Sequence, residues 1–196
     1  EFARANNLVQ LAAAPIDMPE GKDTHTFRLP QGIALMAQGS IDEMKKAGVK
    51  TLGFLGYSDS YGESWLQELT KFGNLAGIKV TAAERFARND SSVTAQALRV
   101  LSTNPDAVMI VASGSGAVMP QKALVERNYK GKIWQTYSAV APDLIRMGGK
   151  DVEGTFGFSG PAVSPTELLD NHPSKKVATD FIALYEGKFG AGTYNQ

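Results

Sequence analysis

Gly56-Tyr57-Ser58-Asp59-Ser60-Tyr61-Gly62-Glu63 joins the apolar run Thr51-Leu52-Gly53-Phe54-Leu55 to a stretch with Leu66, Leu69, Phe72 and Leu75 at three-residue spacing. The run shows no polar alternation, the pattern of a strand covered on both faces. The stripe after it marks one face of a helix. Ser60 and Glu63 form S-x-x-E, a capping box: the serine oxygen accepts from first-turn N–H groups and the glutamate reaches back to the cap's own N–H. Gly62 would leave the first turn uncovered, so that a ligand could approach the partial positive charge of the helix start beside Tyr57 and Tyr61. A strand, a polar aromatic turn and a capped helix make half of a βαβ unit, and the same joint recurs downstream.

Working outward, the spacing predicts strands over 51–55, 78–84, 107–112, 132–136 and 153–158, alternating with helices over 61–76, 92–102, 120–128 and 142–147. Such alternation gives an α/β fold, a parallel sheet flanked by helices on both faces. Upstream, Asn7 to Ala13 reads as a strand end running into a loop over 17–25, and Thr26 to Pro30 as an extended crossing between domains. Ile33, Met36, Ala37, Ile41 and Met44 keep a helical period that Gly48 closes. Pro161, Pro165 and Pro173 make 159–174 a second crossing, before a helix carrying Val177, Phe181, Leu184 and Tyr185.

Over 196 residues, 20 basic and 20 acidic side chains balance to zero net charge. A nucleic-acid groove or an anionic membrane surface as partner would call for a basic excess. There is no cysteine, so disulfides, thiolate zinc sites and thiol nucleophiles are excluded together. No apolar run approaches the roughly 18 to 20 residues that span a bilayer. The chain opens on Glu1-Phe2 and stops after Ala191 to Gln196 with no further strand, and is expected to be truncated at both ends.

Ligands of parallel sheets bind beyond the carboxyl ends of the strands. Those ends are 12–14, 57–61, 86–90, 113–116, 137–141 and 159–161, rich in small residues, hydroxyls and aromatic rings. That composition suits a partly apolar small molecule and offers little for acid–base chemistry. Ser113-Gly114-Ser115-Gly116 lacks the third glycine of a dinucleotide fingerprint, with Met119 in its place. Gly56-Tyr57-Ser58-Asp59-Ser60 lacks the closing glycine of a nucleophile elbow. The two histidines, His25 and His172, stand in proline-flanked loops, and no His/Asp/Glu cluster has metal-ligand spacing. No cofactor, metal or catalytic residue is expected. Trp134 reads as core, while Tyr61 and Tyr137 fit either ligand contact or structural use.

The run Tyr57 to Glu63, the helix opening at Ile33 and Gly148-Gly149-Lys150-Asp151-Val152-Glu153-Gly154 resemble, in order and spacing, the branched-chain-amino-acid type of solute-binding protein. These are extracytoplasmic, typically periplasmic, receptors of ABC importers, built as two α/β lobes that close on a ligand. The resemblance implies that 1–32 is the end of lobe 1 with the first crossing, 33–158 is lobe 2, and 159–196 is the second crossing with a return helix of lobe 1. It implies a monomer that binds a small molecule and docks on a membrane permease, with hinges through 26–29 and 158–161. It places Ala12 and Ala14 at the lobe 1 contact with the ligand's carboxylate and amine, Tyr61 as the aromatic cover, Ser115 near a second aromatic contact with Ser113 and Gly116 beside it, and Tyr137 near the acidic residue that receives an α-ammonium. Ala14 has no hydroxyl, Ser115 is not aromatic and Tyr137 is not acidic. A buried ammonium without a carboxylate would cost several kcal/mol in order-of-magnitude terms. The reading is therefore a carboxylate with an apolar or aromatic body and no α-amino group. Asp143 is the acidic residue that could oppose it. An amino-acid or amide binder of the same fold, a ligand-sensing receptor domain and, more distantly, a small-carboxylate hydrolase are the alternatives.

Overall fold

The computed structural model describes residues 2–14 and 25–194. In chain order the regular elements are α1 (Phe2–Ala5), β1 (Gln10–Ala12), β2 (Thr26–Arg28), α2 (Ile33–Lys46), β3 (Thr51–Tyr57), α3 (Ser60–Ala76), β4 (Lys79–Phe86), α4 (Thr94–Leu101), β5 (Ala107–Val111), α5 (Val118–Val125), β6 (Lys132–Gln135), α6 (Pro142–Gly148), β7 (Phe156–Gly157) and α7 (Lys175–Phe189), with short 3-10 turns between some of them. Most of the loop expected over 17–25 falls outside the described residues.

A five-stranded parallel sheet, ordered β4-β3-β5-β6-β7, is the centre of the molecule. Alternation along its strands splits the apolar residues into two layers. Leu52 and Phe54 of β3, with Ala107, Met109 and Val111 of β5, pack under α2 and α3 against Ile41, Met44, Trp65 and Leu69. Leu55 and Tyr57, with Val108, Ile110 and Ala112, face α4, α5 and α6 through Ala97, Val100, Leu124 and Leu144. The unbroken apolar character of 51–55 follows from this double cover. Trp134 is core as expected, stacked 4.6 Å from Phe156.

The sequence stripe on α3 needs correction. Gly62, Trp65, Leu69 and Gly73 are its buried residues, whereas Leu66 and Phe72 are half-buried and Leu75 is 79% exposed. The helix is turned so that Gly73 lies against the backbone of Ile78, where a Cβ would stand 2.8 Å from the carbonyl oxygen. The last expected strand, 153–158, contracts to Phe156–Gly157, because 149–152 continue the preceding helix as a 3-10 turn.

β1 and β2 form a separate parallel pair. Leu8, Val9, Leu11, Phe27 and Leu29 are exposed there, and α7 buries Ala178 while exposing Val177, Phe181, Leu184 and Phe189.

At the amino ends of the central strands, the Asp106 carboxylate accepts from the Lys50 and Thr51 N–H groups at 2.9 and 2.8 Å and from the Thr51 hydroxyl at 2.9 Å. The Lys50 N–H, then the Thr51 groups, hold its pKa below the ordinary carboxylate value. A carboxyl whose folded pKa is depressed stabilises above its unfolded pKa, near about 3.9, and loses that contribution as pH falls through the folded value. Asp106→Ala should cost about 1 kcal/mol at pH 7, a modest figure because the site is exposed. Urea unfolding of both proteins should show that difference shrinking toward zero below pH 4; a difference independent of pH would contradict the assignment.

Candidate ligand site

The chain passes from β3 outward to β4 and returns across to β5, so the topological reversal lies between β3 and β5. In open parallel sheets this is where a crevice forms at the carboxyl ends. The register pairs Tyr57 with Phe86 and Gly56 with Val111. Asp59, Arg88 and Ser113 each follow one of these paired residues by two positions, and their side chains meet.

Asp59, rather than Ser60, caps α3. Its backbone is extended and its Oδ1 accepts from the Gly62 N–H at 3.2 Å, which makes Ser60 the first helical residue. Glu63 does not reach back to the cap: Arg85 of β4 holds it in a two-pronged ion pair, with Nη2 donating to Oε2 at 2.9 Å and Nε to Oε1. The expected capping box is therefore two separate devices. Gly62 is also reassigned. It is buried, and a Cβ there would stand 1.8 Å from the Tyr57 carbonyl oxygen. The glycine lets the helix start seat on the strand end and does not open it to a ligand.

Tyr57 is 4% exposed, its ring tilted on Phe86 with centroids 5.1 Å apart. Its hydroxyl lies 3.4 Å from both the carbonyl oxygen and the N–H of Ser113, donating to the first and accepting from the second. Gly116 is small for this reason, since a Cβ would stand 2.1 Å from that hydroxyl. The Arg88 guanidinium lies over the outer face of the Tyr57 ring, 4.2 Å from its centroid. Arg88 Nε donates to Asp59 Oδ2 at 2.7 Å and Nη1 to Ser113 Oγ at 3.4 Å. Within the described residues Nη2 makes no hydrogen bond. Partial burial pushes the Asp59 carboxyl up, but the Gly62 N–H, Arg88 and the Tyr61 N–H outweigh it and hold the pKa below the ordinary value.

Tyr61 carries a second polar chain across the sheet. Its hydroxyl donates to Thr136 Oγ1 at 3.0 Å and lies 3.1 Å from Ser138 Oγ, and Thr136 Oγ1 donates to the Ala112 carbonyl at 3.0 Å. Burial raises the phenol's pKa above its ordinary value, an effect the bonds to Ser138 and Thr136 only partly offset. The hydroxyl is thus committed to joining α3 to the end of β6. The ring, set edge-on to Trp65 at 6.5 Å, packs part-buried against both apolar layers.

Of the residues expected at the site, Tyr61, Ser113, Ser115, Gly116 and Tyr137 gather at the carboxyl ends of β3, β5 and β6. Ser113 precedes the 3-10 turn Gly114–Ala117, on which Ser115 is exposed, and Tyr137 opens the neighbouring turn Tyr137–Ala139, half-buried against the α2–α3 layer. Ala12 ends β1 in the other sheet, and Ala14 lies two residues beyond it. Ala12 is buried with its carbonyl accepting from the Leu29 N–H at 2.9 Å, and Ala14 is exposed. Asp143 is paired with Arg146 one turn along α6, at 2.9 Å. Neither histidine stands at these strand ends: His25 bonds Asn7, and His172 accepts from the Ser174 N–H. Arg88 is the residue that sequence reasoning misses. It lies 29 positions from Asp59 and 25 from Ser113, and only the β4-β3-β5 order unites them.

Comparison with known proteins bears on this geometry. A family described as periplasmic binding protein matches residues 1–196. An extracellular ligand-binding receptor from Rhodopseudomonas palustris superposes with a TM-score of 0.92 at 39% identity, covering 100% of this chain and 54% of that one. At the level of fold alone, a leucine binding protein from Thermotoga maritima matches with a TM-score of 0.78 at 20% identity, over 96% of this chain and 53% of its own. An ABC transporter solute-binding protein from R. palustris in complex with benzoate matches with a TM-score of 0.67 at 19% identity, over 83% of this chain and 44% of its own. The chain spans about half the length of these solved relatives. No curated protein matches it.

Tyr61→Phe keeps the ring and removes the hydroxyl chain. It should lower stability by about 1 to 2 kcal/mol in urea unfolding. Ultraviolet titration of the wild type should show two tyrosines that ionise above the ordinary value of about 10, Tyr61 and Tyr129, both pushed up chiefly by burial, and the variant should show one. An unchanged count would mean that Tyr61 is not one of the raised phenols.

Proposed function

The chain belongs to the periplasmic binding protein family, and on that premise we propose that it is part of an extracytoplasmic receptor of an ABC importer. The receptor binds a small carboxylate with an apolar or aromatic body between two lobes. Residues 33–158 form lobe 2, 1–32 contribute the end of lobe 1 and a crossing, and 159–196 contribute the return. Binding, not turnover, is the activity: the ligand docks on one lobe, the other closes, and a permease reads the closed form.

Arg88 carries this reading. It is the one basic side chain in the segments beyond the carboxyl ends of β3 to β6, namely 58–61, 87–90, 113–116 and 136–141. It is held from one side by Asp59 and from another by Ser113, with Nη2 left for a further acceptor. A guanidinium fixed by packing on a ring loses little freedom when a carboxylate binds it, and its planar fork suits that group. The Tyr61 and Tyr137 rings and the small residues of 113–116 supply the apolar wall. The benzoate in a fold-level neighbour is chemistry of this kind.

The amino-acid alternative draws support from the leucine-binding neighbour and from Asp59, which sets a negative charge beside Arg88. Against it, Asp59 already accepts from the Gly62 N–H and from Arg88 Nε. An ammonium placed there would compete for lone pairs in use.

The experiment is calorimetry and thermal shift on the full-length receptor with benzoate and cinnamate in one panel and leucine and phenylalanine in another. A ligand at about one hundred times its dissociation constant adds roughly 2.7 kcal/mol of stability. The amine-free acids should stabilise the protein, and Arg88→Gln should weaken them by about 10- to 100-fold, the loss of a charge-assisted bond. Stabilisation by the amino acids alone would overturn the amine-free reading.

A further inference from the structure

Resting on the reading that Arg88 receives a ligand carboxylate, the geometry around Asp59 carries a statement about which acids are admitted. The Asp59 carboxylate is fixed from two directions: α3 draws Oδ1 onto the Gly62 N–H, and Arg88 Nε holds Oδ2 at 2.7 Å. It cannot swing away when a second anion reaches the guanidinium without uncapping the helix. The cap also uses the first-turn donors of α3, which would otherwise attract an anion. The nearest other guanidinium on β4, Arg85, is engaged by Glu63. A bound monocarboxylate therefore leaves one positive and two negative charges at this point, and a doubly charged head adds a third negative charge with no further cation in the surrounding turns.

We infer that Asp59 is a charge filter: it admits singly charged acids to Arg88 and rejects doubly charged oxyanions such as phosphate monoesters and vicinal dicarboxylates. Repulsion between charges on opposite edges of one guanidinium, in surroundings open to water, corresponds to about a tenfold penalty in affinity for each added charge. It should weaken as salt is raised.

The test is titration calorimetry on the full-length receptor at pH 7.5 and low ionic strength, with benzoate and phenyl phosphate as probes. The second has the same ring and a head close to doubly charged. Asp59→Asn removes the charge while keeping a side chain that caps a helix as well as aspartate does, and Asp59→Ser is a second neutral cap. The wild type should prefer benzoate, and both variants should shift the ratio toward phenyl phosphate by about tenfold. An unchanged ratio in both variants overturns the filter. Arg88→Gln separates this from failure of the underlying reading. If benzoate binding survives Arg88→Gln, or benzoate binds none of the proteins, the anchoring reading falls and the filter with it. If benzoate binding is lost in Arg88→Gln and the Asp59 ratio does not move, only the filter falls.

Discussion

The double burial of β3 is the constraint on which the rest of this structure depends. Leu52 and Phe54 are enclosed by α2 and α3, Leu55 and Tyr57 by the opposite layer, and both edges of the strand are paired. Each fully buried side chain of this size contributes roughly 1.5 to 3 kcal/mol relative to exposure, so a slip of one residue would exchange the two faces and disturb both cores at once. The register that results is also the one that delivers Asp59, Arg88 and Ser113 to a common point. Core and site are thus set by the same pairing.

The alternation of strands and helices was legible because each element is decided by its own periodicity. What was not legible is decided between elements. Asp59 and Ser60 are both good caps by residue type, and the choice between them falls to Arg88, which arrives from the far end of β4. Glu63 sits where a capping box wants it, yet Arg85 offers a two-pronged partner that a backbone N–H does not match. On α3, Leu66 and Leu75 satisfy a helical stripe as well as Trp65 does. The close approach of Gly73 to Ile78 turns the helix, and a glycine carries no hydropathy that could announce it.

The candidate site divides in the same way. Tyr61, Ser113, Gly116 and Tyr137 could be placed beyond strand ends from sequence, because the βα joint alone puts them there. Their roles could not. Tyr61 fits ligand contact and structural use equally until Thr136 and Ser138 are found on its hydroxyl. Gly116 reads as a small residue beside the Ser115 contact until the Tyr57 hydroxyl is found where its Cβ would be. Ala12 lies on, and Ala14 just beyond, the separate β1–β2 pair, whose side chains Leu11 and Phe27 are exposed like the apolar face of α7. Apolar surface of that kind in the flanking segments accords with a chain spanning about half of its solved relatives.

Because the central sheet closes both of its own layers, the polar groups beyond the carboxyl ends of its strands are ordered without help from those flanks. Asp59, Arg88, Tyr57 and Ser113 satisfy one another, and Tyr61, Thr136 and the Ala112 carbonyl form a second satisfied chain. Such a surface needs little reorganisation to receive a ligand, so less of the interaction energy is lost to ordering side chains. It also follows that discrimination falls to the few donors left unfilled and to the fixed charges beside them. Rings and small side chains at this edge accept many apolar bodies, whereas one guanidinium with a tethered carboxylate at its side responds steeply to the charge of whatever it is offered.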